Sequence, residues 1–528
     1  MESTQPTLKP LHAILRLSLA FACLKVLIQI VGNILAQHAG YGIFRDELYY
    51  LVCGRHLAFG YVDQPPLVAL QARISETLFG HEHLWSLRLL SALAGGAKVF
   101  LTGILAWALG GGRRAAALAM LGVLVTGVYL GIDGILSMNS FDPVFWMLCA
   151  LALIRIVQSQ SSAQVRNWWI VFGVSAGLAF QNKDSIAFYL IAMLVAILFT
   201  PTRRILASRW FAVSVLLIVA IAMPNFLWQV AHHFPTLEWL HNVQVSGKNV
   251  DLPPLAFIKA QLIMLNPLTA LLWISGVAWL LFGRQAGQFR FLGVFYLVFL
   301  PFMILLHAKD YYLAPAYPVF FAAGAVAWLS WAAARANSRL RLGAIAAYAV
   351  LLITGFFVFV PFSIPVLPPQ QFLAYERVVH FAPGDTENHA ASPLPQFYAD
   401  MFGWQQMADE IARVYNSLPA ADKARAGIFC NNYGEAGAVD ILGAKHHLPQ
   451  AISGHQNFYF WGPRGYTGDV LLVVQRSRSD LDQEFASVTD MAHVENPYAM
   501  PYEHVHIYLC RGLRKPLATV WPAVKNWH

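Results

Sequence analysis

The sequence predicts an α-helical polytopic membrane protein followed by a C-terminal soluble α/β domain. Of its 528 residues, 57% are hydrophobic and 12% are charged, about half the charged fraction of an average soluble domain. Long apolar runs continue to about residue 362, after which short apolar and polar segments alternate. We therefore expect a transmembrane catalytic domain over residues 1–362 and an extracytoplasmic domain over residues 363–528.

Eleven apolar segments predict the membrane spans, because a spanning helix needs roughly 20 mostly apolar residues. The segments are residues 12–37, 87–109, 115–132, 142–158, 168–182, 185–200, 210–230, 261–282, 291–307, 311–333 and 343–361. The N-terminal residues lead into the first segment without a small-residue cleavage site, so we expect it to remain as a helix.

Two connections between these segments are long, at about residues 38–86 and 231–260. The first contains a predicted interfacial helix, Leu67–Phe79. The second mixes histidines with Trp239 and a Pro-Pro turn, which is typical of a segment that lies along a membrane surface.

The distribution of charge predicts the orientation. Twelve arginines and no acid lie in alternate short connections, which the positive-inside rule assigns to the cytoplasm: Arg113, Arg114, Arg155, Arg166, Arg203, Arg204, Arg209, Arg284, Arg290, Arg335, Arg339 and Arg341. The acids between the first and last spans lie at or beyond the opposite face: Asp46, Glu47, Asp63, Glu76, Glu82, Asp133, Asp142, Asp184, Glu238, Asp251 and Asp310. We expect a cytoplasmic N-terminus and chemistry on the outer face. The formal charge of +8 is dispersed over the loops, which disfavours nucleic-acid binding.

The C-terminal part alternates predicted helices and strands. The expected elements are a helix at Phe402–Leu418, a strand at Gly427–Asn431, a helix at Gly434–Leu442, a strand at Asp469–Gln475, a polar helix around Asp480–Phe485 and a strand at His504–Cys510. This order favours a largely parallel sheet. Cys430 and Cys510 either pair, if the domain is extracytoplasmic, or stay as free buried thiols.

The segment 44–67, FRDELYYLVCGRHLAFGYVDQPPL, places Arg45, Asp46, Glu47 and Asp63 beside the first span. Ionisable groups at a membrane boundary are costly unless they are paired or solvated. Asp46 is therefore either a solvated helix end paired with Arg45 or a general base that accepts a proton from a hydroxyl group. Asp63 precedes a Pro-Pro turn and is either a turn residue or a member of the same site.

Lys183 in QNKD and Lys309 in HAKDYY fall at the predicted outer face, against the basic-inside pattern. Each lysine either extends to the interface or neutralises an anion such as a phosphate group. Asp142 opens a predicted helix, where a carboxylate also favours the helix dipole. His232 and His233 have no spacing that is diagnostic of a metal site. No nucleotide-binding or nucleophile-elbow motif is present.

Three local motifs carry a resemblance to a known family. They are DELYY at Asp46–Tyr50 with GYVDQPPL at Gly60–Leu67, GLAFQNKDSIAFYL at Gly177–Leu190, and KDYYLAPAYPVFFA at Lys309–Ala322. The chain resembles the membrane glycosyltransferases that use lipid-phosphate sugars, the protein O-mannosyltransferase and aminoarabinose transferase superfamily with the GT-C fold. NNYGEAGAVDILG at Asn431–Gly443 and SGHQNFYFWGP at Ser453–Pro463 resemble the C-terminal domain of bacterial members. Bacterial relatives often have His or Lys where this chain has Gln64.

The resemblance implies a polyprenyl-phosphate sugar donor, an acceptor on the extracytoplasmic side of a bacterial inner membrane, and inversion at the anomeric carbon. It implies Asp46 as the catalytic base, and Arg45, Lys183 and Lys309 as groups that stabilise the donor phosphate. The remaining expected substrate-binding residues are Glu47, Tyr49, Tyr50, Asp63, Gln64, Asp142, Asp310 and Tyr311. The resemblance leaves open whether the protein needs a divalent cation. The candidate ligands for one are Glu47, Asp63, His232 and His233.

Two other classes of protein remain to be weighed. A lipid-linked sugar flippase or transporter would place charges near the membrane midplane and often shows internal repeats, whereas the acids here cluster at one face. A structural or sensor protein with a binding α/β domain would not need outer lysines beside outer acids. The sequence leaves open the identity of the sugar, and whether the acceptor is a lipid, a polysaccharide or a protein.

Overall fold

The computed structural model describes residues 11–334, 337–381, 384, 387–388 and 390–528. The N-terminal ten residues and Arg335, one of the twelve loop arginines, lie outside the described residues. The chain forms two compact units. Unit 1 comprises Met1–Asn33, Arg88–Phe226 and Asp251–Ile364, and unit 2 comprises Ile34–Leu87, Leu227–Val250 and Pro365–His528. The predicted domain boundary near residue 362 stays a prediction.

The structure is mostly helical. In chain order, the helices are α1 (Leu11–His38), α2 (Arg45–Arg55), α3 (Leu67–Phe79), α4 (Leu84–Leu87), α5 (Leu89–Ala108), α6 (Arg113–Leu124), α7 (Gly127–Ile132), α8 (Met138–Gln158), α9 (Ser162–Asn182), α10 (Ile186–Leu198), α11 (Arg209–Ala231), α12 (Pro235–Val245), α13 (Pro254–Met264), α14 (Ala270–Phe282), α15 (Arg290–Leu305), α16 (Tyr317–Ala333), α17 (Ser338–Phe359), α18 (Pro369–Val379), α19 (Gln396–Ala399), α20 (Trp404–Ser417), α21 (Ala420–Lys423), α22 (Tyr433–Ile441), α23 (Asn457–Trp461), α24 (Leu481–Glu484) and α25 (Leu517–Val520).

Seven helical segments of the described chain are long and apolar enough to cross a membrane, and two bent helix pairs raise that number to nine. The seven are Leu11–His38, Leu89–Ala108, Met138–Gln158, Arg209–Ala231, Arg284–Leu305, Asp310–Ala333 and Ser338–Phe362. The polytopic helical class is confirmed, and each of the eleven predicted segments overlaps a helix. The structure has fewer candidate membrane spans than the eleven predicted, because some of the helices are short. The 12 residues of α6 rise only about 18 Å, well short of a hydrocarbon core of about 30 Å.

The two bent pairs break at prolines. Ile186–Leu198 and Pro201–Ala207 meet at 114°, and Pro254–Met264 and Pro267–Phe282 meet at 93°. Proline lacks the N–H group that would continue a helix, so the chain turns at these points. The predicted single span 261–282 is therefore α13 and α14 on either side of a sharp bend.

Close helix packing in unit 1 depends on small residues. A Cβ atom on Gly276 of α14 would lie 2.0 Å from the Phe320 carbonyl oxygen, and one on Gly324 of α16 would lie 1.9 Å from the Leu272 carbonyl oxygen. The two backbones are in direct contact, the arrangement that small residues permit between membrane helices.

Unit 2 contains a mixed five-stranded sheet of β1 (Ala426–Cys430), β2 (Ala451–Ile452), β3 (Val470–Gln475), β4 (Phe485–Val494) and β5 (Val505–Leu513). The strand order is β2-β1-β3-β5-β4. β1 is parallel to β2 and β3, whereas β5 is antiparallel to β3 and β4. The prediction of a largely parallel sheet is therefore wrong. The connection over residues 495–504 has no crossover helix, and a parallel pair needs a connection of a dozen residues or more.

The other predicted elements of unit 2 are confirmed in type, with small shifts at their ends. α3, α20, α22, β1, β3 and β5 lie where the patterns indicate. The polar helix around Asp480–Phe485 is the four-residue α24. Cys430 and Cys510 are free and buried. They lie on β1 and β5, which β3 separates, so their strands are about 9.5 Å apart and beyond the reach of a disulfide.

Candidate active site

Helix α2 sets the orientation of the charged segment. Phe44 is extended and precedes the helix, and the Glu47 carboxylate accepts the Phe44 N–H at 2.8 Å. This hydrogen bond closes a cap at the helix start, where carboxylates are also favoured by the dipole. Glu47 is fully buried, so it fixes the helix end. The Asp46 side chain remains 34% exposed.

Tyr433 and Arg45 hold Asp46. The Tyr433 hydroxyl donates to Asp46 Oδ1 at 2.7 Å, and Arg45 Nε lies 3.7 Å from the same oxygen. A hydrogen bond of that length to a carboxylate is a charge-assisted one. Asp46 is thus oriented by two residues and still reached by solvent, as a general base requires.

Arg45 lies among partners of its own. Arg45 Nη1 donates to the Tyr502 hydroxyl at 2.8 Å, and Nη2 lies 3.9 Å from Asp400 Oδ2. Tyr502 in turn donates to Asp400 Oδ1 at 2.6 Å. Burial raises the pKa of the Asp400 carboxyl to about 6, while the charge of Arg45 and the Tyr502 hydrogen bond oppose that rise. Arg45 is therefore a counter-charge for carboxylates as well as a predicted phosphate ligand.

Asp63 is connected to Asp46 through two tyrosines. Tyr49 donates its hydroxyl to Asp63 Oδ1 at 2.9 Å, and its ring lies 5.0 Å from that of Tyr433, which bonds Asp46. Burial raises the pKa of the Asp63 carboxyl to about 7. The Tyr49 hydrogen bond and the charge of Lys248 oppose the rise, and the charge of Asp46 adds to it.

The start of α22 fixes Tyr433. The Glu435 carboxylate accepts the N–H groups of Asn431 and Asn432 at 2.8 and 3.3 Å, and burial raises its pKa to about 8. The Tyr433 N–H donates to His455 Nδ1 at 3.2 Å. Burial lowers the pKa of His455 to about 3, so its ring is neutral and can accept this hydrogen bond.

Gln64 and Tyr50, two further predicted residues of unit 2, are buried. Gln64 is 1% exposed and donates to Cys53 Sγ at 3.6 Å, so its amide group faces the interior. Tyr50 is buried within α2. His232 stacks on Trp228 with ring centroids 4.1 Å apart. Within the described ranges, no group of three or more His, Cys, Asp or Glu side chains is arranged to hold a metal ion. His233, Glu47 and Asp63 therefore gain no support as metal ligands.

Unit 1 brings together the predicted lysine group. Lys183 follows α9, and its Nζ donates to Asn139 Oδ1 at 2.7 Å. The same Nζ lies 4.4 Å from the ring centroid of Tyr312 and 5.3 Å from that of Tyr311. A lysine against two aromatic faces is stabilised as a cation.

Asp142 lies beside this lysine segment, and the segment 309–311 supplies the tyrosines. Ser185 donates to Asp142 Oδ2 at 2.9 Å, which joins α8 to the turn after Lys183. Lys309 directly precedes Asp310, whose carboxylate accepts the Tyr311 N–H at 2.8 Å. Asp142 therefore contacts the turn two residues after Lys183, and Lys183 itself contacts Tyr311.

An ion cluster in unit 1 was not found from the sequence. Asp133 lies 3.1 Å from Lys25 Nζ and 2.8 Å from Lys98 Nζ, and all three side chains are 0% exposed. Lys25 also donates to the Tyr129 carbonyl at 2.9 Å. The charge pattern predicts Asp133 at or beyond the outer face with the other acids and gives it no partner. The signal that would have found the cluster is a lysine inside each of two apolar spans.

Comparisons with known proteins agree with this architecture. Residues 63–228 match the family model described as dolichyl-phosphate-mannose-protein mannosyltransferase. The chain is 26% identical over 239 residues to lipid A galacturonosyltransferase RgtD of Rhizobium johnstonii, covering 44% of this chain and 48% of the relative. It is 27% identical over 177 residues to undecaprenyl phosphate-alpha-4-amino-4-deoxy-L-arabinose arabinosyl transferase of Pseudomonas savastanoi pv. phaseolicola, covering 33% and 32%. The chain thus matches about half the length of the first relative and a third of the second.

The solved structures match over nearly the full length. The crystal structure of ArnT from Cupriavidus metallidurans bound to undecaprenyl phosphate has a TM-score of 0.61 at 14% identity, covering 93% of this chain and 97% of that one. Its apo state has a TM-score of 0.58 with the same coverage. At this identity the likeness establishes the fold alone. The fold of this chain is therefore similar to that of ArnT, and the family model matches one part of it, residues 63–228.

Proposed function

We propose that this protein transfers a sugar from a polyprenyl-phosphate donor to a lipid acceptor on the extracytoplasmic face of the bacterial inner membrane. The main support is the geometry of Asp46, whose carboxylate is accessible to solvent and accepts a hydrogen bond from Tyr433 at 2.7 Å. Two relatives support the choice of substrates, since one is named for lipid A and the other for an undecaprenyl-phosphate sugar. The structural neighbour bound to undecaprenyl phosphate supports the same donor.

Asp46 acts as the general base in this proposal. It removes the proton from an acceptor hydroxyl as the oxygen attacks the anomeric carbon of the donor. The bond between that carbon and the phosphate oxygen breaks, and the lipid phosphate leaves with the electron pair. Attack from the face opposite the phosphate inverts the anomeric configuration.

The leaving phosphate needs positive charge. Lys183 supplies it, and its aromatic neighbours Tyr311 and Tyr312 attract a cation without adding a negative charge. Lys309 adds a second positive charge on the adjoining segment. Arg45 contributes to the balance of charge around Asp46, since Asp400 and Tyr502 hold its guanidinium. Asp63 accepts hydrogen bonds from sugar hydroxyls.

The orientation belongs to the same proposal. The N-terminus is cytoplasmic and unit 2 is periplasmic, because the arginine-rich connections follow the positive-inside rule. Labelling of single cysteines at position 113 and at position 480 in intact cells tests this orientation. A membrane-impermeant maleimide should label position 480 and leave position 113 unlabelled. The opposite result would reverse the proposed orientation.

The decisive experiment compares Asp46→Asn with wild type in nanodiscs. Radiolabelled polyprenyl-phosphate sugars and lipid A serve as substrates, and mass spectrometry identifies the product. Loss of a general base lowers the rate by about 10²- to 10⁴-fold. Asp490→Asn is the matched control, because Asp490 is an exposed acid of β4. Transfer by Asp46→Asn at the wild-type rate would refute the assignment of the base.

A sugar-lipid flippase is the second candidate, and the Lys25–Asp133–Lys98 cluster is the observation in its favour. Charges within a membrane bundle often mark a transport path. The three side chains are fully buried, however, and both lysines pair with Asp133, as in a structural cluster. Proteoliposomes with donor and no acceptor separate the two functions, since a flippase would still redistribute the lipid between leaflets.

A further inference from the structure

Residues 453–457, SGHQN, contact both of the tyrosines that donate to carboxyl groups of the candidate site in unit 2. His455 Nδ1 accepts the Tyr433 N–H at 3.2 Å. The Asn457 N–H donates to the Tyr49 hydroxyl at 3.3 Å. A single short segment therefore bonds the two residues that orient the carboxylates.

Gln456, between these two contact residues, has a strained backbone. Its φ of 46° and ψ of −132° lie in a region that residues with a Cβ atom rarely adopt. Such a conformation persists only where surrounding contacts hold it, and it is found most often at functional sites. The residues on either side of Gln456 contact the two tyrosines, so the positions of both contacts depend on this conformation.

Residues 524–528 supply the contacts that hold Gln456. The Gln456 N–H donates to the Asn526 carbonyl at 3.1 Å. The Gln456 carbonyl accepts the Trp527 Nε1–H at 3.2 Å. Both backbone polar groups of the strained residue are therefore bonded to the same segment.

Gly454 permits a close approach between the two segments. The Asn526 N–H donates to the Gly454 carbonyl at 2.9 Å. A Cβ atom on Gly454 would overlap the Val524 carbonyl oxygen. Any larger residue at this position would push the two backbones apart, because a carbonyl oxygen of the main chain cannot rotate away as a flexible side chain can.

Residues 524–528 also fix the ring of His455. Its Nδ1 accepts the Tyr433 N–H, so in the neutral ring the proton lies on Nε2. That Nε2–H donates to the His528 backbone oxygen at 3.2 Å. The bond to His528 therefore favours the tautomer in which Nδ1 can accept from Tyr433.

We propose that residues 524–528 are a positioning element for the reaction: by holding residues 453–457 they fix Tyr433, and with it the Asp46 carboxylate. The inference rests on the proposed function, because Asp46 is the base only in that proposal. The element orients the base without contacting the substrates, so its loss should slow the chemical step and leave substrate binding unchanged.

The kinetic test uses Trp527→Phe, His455→Ala and His455→Asn in the full-length protein in nanodiscs. Trp527→Phe removes the donor to Gln456 and keeps an aromatic ring, and His455→Ala removes the acceptor for the Tyr433 N–H. Each should lower kcat by roughly three- to tenfold, the change that corresponds to one hydrogen bond, with KM unchanged. His455→Asn should restore part of kcat, because its amide oxygen replaces Nδ1 as the acceptor.

Trp85→Phe is the matched control, since Trp85 is a 37% exposed tryptophan of α4. It should transfer sugar at the wild-type rate. A raised KM with unchanged kcat in Trp527→Phe, or equal losses of kcat in His455→Ala and His455→Asn, would overturn the proposal.

A fluorine NMR probe separates this inference from the proposed function. Fluorotyrosine is incorporated at position 433, where its resonance reports the hydrogen bond between the hydroxyl and Asp46. Trp527→Phe and His455→Ala should move the resonance toward its position in Asp46→Ala, and Trp85→Phe should not. A lowered kcat with an unmoved resonance would refute the positioning role. A moved resonance in a protein whose Asp46→Asn variant transfers sugar at the wild-type rate would refute the base assignment and keep the positioning of Tyr433.

Discussion

Replacement of Tyr49 by phenylalanine tests the electrostatics of the Asp63 carboxyl. Burial raises the pKa of Asp63 to about 7, and the Tyr49 hydrogen bond at 2.9 Å holds it below the value that burial alone would give. A hydrogen bond to a charged group contributes about 1.5–3 kcal/mol, and 1.36 kcal/mol corresponds to one pKa unit. Tyr49→Phe is therefore expected to raise the pKa of Asp63 by roughly 1 to 2 pH units.

The direction of this pKa change depends on whether the Tyr49 hydroxyl stabilises the ionised or the protonated form of Asp63. The hydroxyl stabilises ionised Asp63, so its removal favours the protonated form and moves ionisation to higher pH. Ionised Asp63 accepts hydrogen bonds from sugar hydroxyls more strongly, so kcat/KM should rise with pH through this ionisation. The phenylalanine ring keeps the packing against Tyr433. The Asn457 N–H loses its 3.3 Å acceptor, which is expected to cost about 1–3 kcal/mol of stability.

The assay is the pH dependence of kcat/KM for sugar transfer in nanodiscs, measured on both sides of pH 7. Wild type should show a rise near pH 7, Tyr49→Phe the same rise at higher pH, and Asp63→Asn no such rise. The charges of Lys248 and Asp46 also act on Asp63, so Lys248→Met should move the rise upward as well. An unshifted profile in Tyr49→Phe would refute the reasoning.

Two further predictions concern unit 1. Lys183→Met should lower kcat/KM by about 10²- to 10³-fold, as expected for lost stabilisation of a developing charge, and Lys183→Arg should restore part of it; equal activity of Lys183→Met and wild type would exclude a phosphate role. Asp133→Asn leaves two buried lysines without a counter-charge and should cost about 3–5 kcal/mol of stability. Thermal unfolding in detergent measures it, and an unchanged midpoint would contradict the buried ion cluster.

Local sequence patterns predict individual helices and strands better than they predict which strands pair with each other. α3 matches the expected Leu67–Phe79, because its amphipathic pattern is contained within the segment. α20 has a similarly clear apolar stripe. β4, FASVTDMAHV, was missed because its exposed middle carries no apolar alternation. Among the described residues β4 pairs only with β5, so missing β4 also hid one of the two antiparallel pairs of the sheet.

The sequence predicts only those parts of the candidate site whose residues are close together along the chain. Arg45, Asp46 and Glu47 were singled out because three charges beside an apolar span are conspicuous. Tyr433, which holds Asp46, lies 387 positions away, and a single tyrosine at the start of a short helix gives no local signal. The same limit applies to Asp133, whose two lysine partners lie on other spans.

Burial is the main cause of the differences in pKa among the buried carboxyl groups of unit 2. It raises the pKa of Asp400 to about 6, of Asp63 to about 7 and of Glu435 to about 8. It also raises the pKa of Glu503, which is 3% exposed. Because these groups retain protons to higher pH, fewer negative charges compete for the single guanidinium of Arg45. Asp46 differs in having a side chain that is 34% exposed. Solvent exposure, together with the Tyr433 hydroxyl, therefore distinguishes the proposed base from the acids around it.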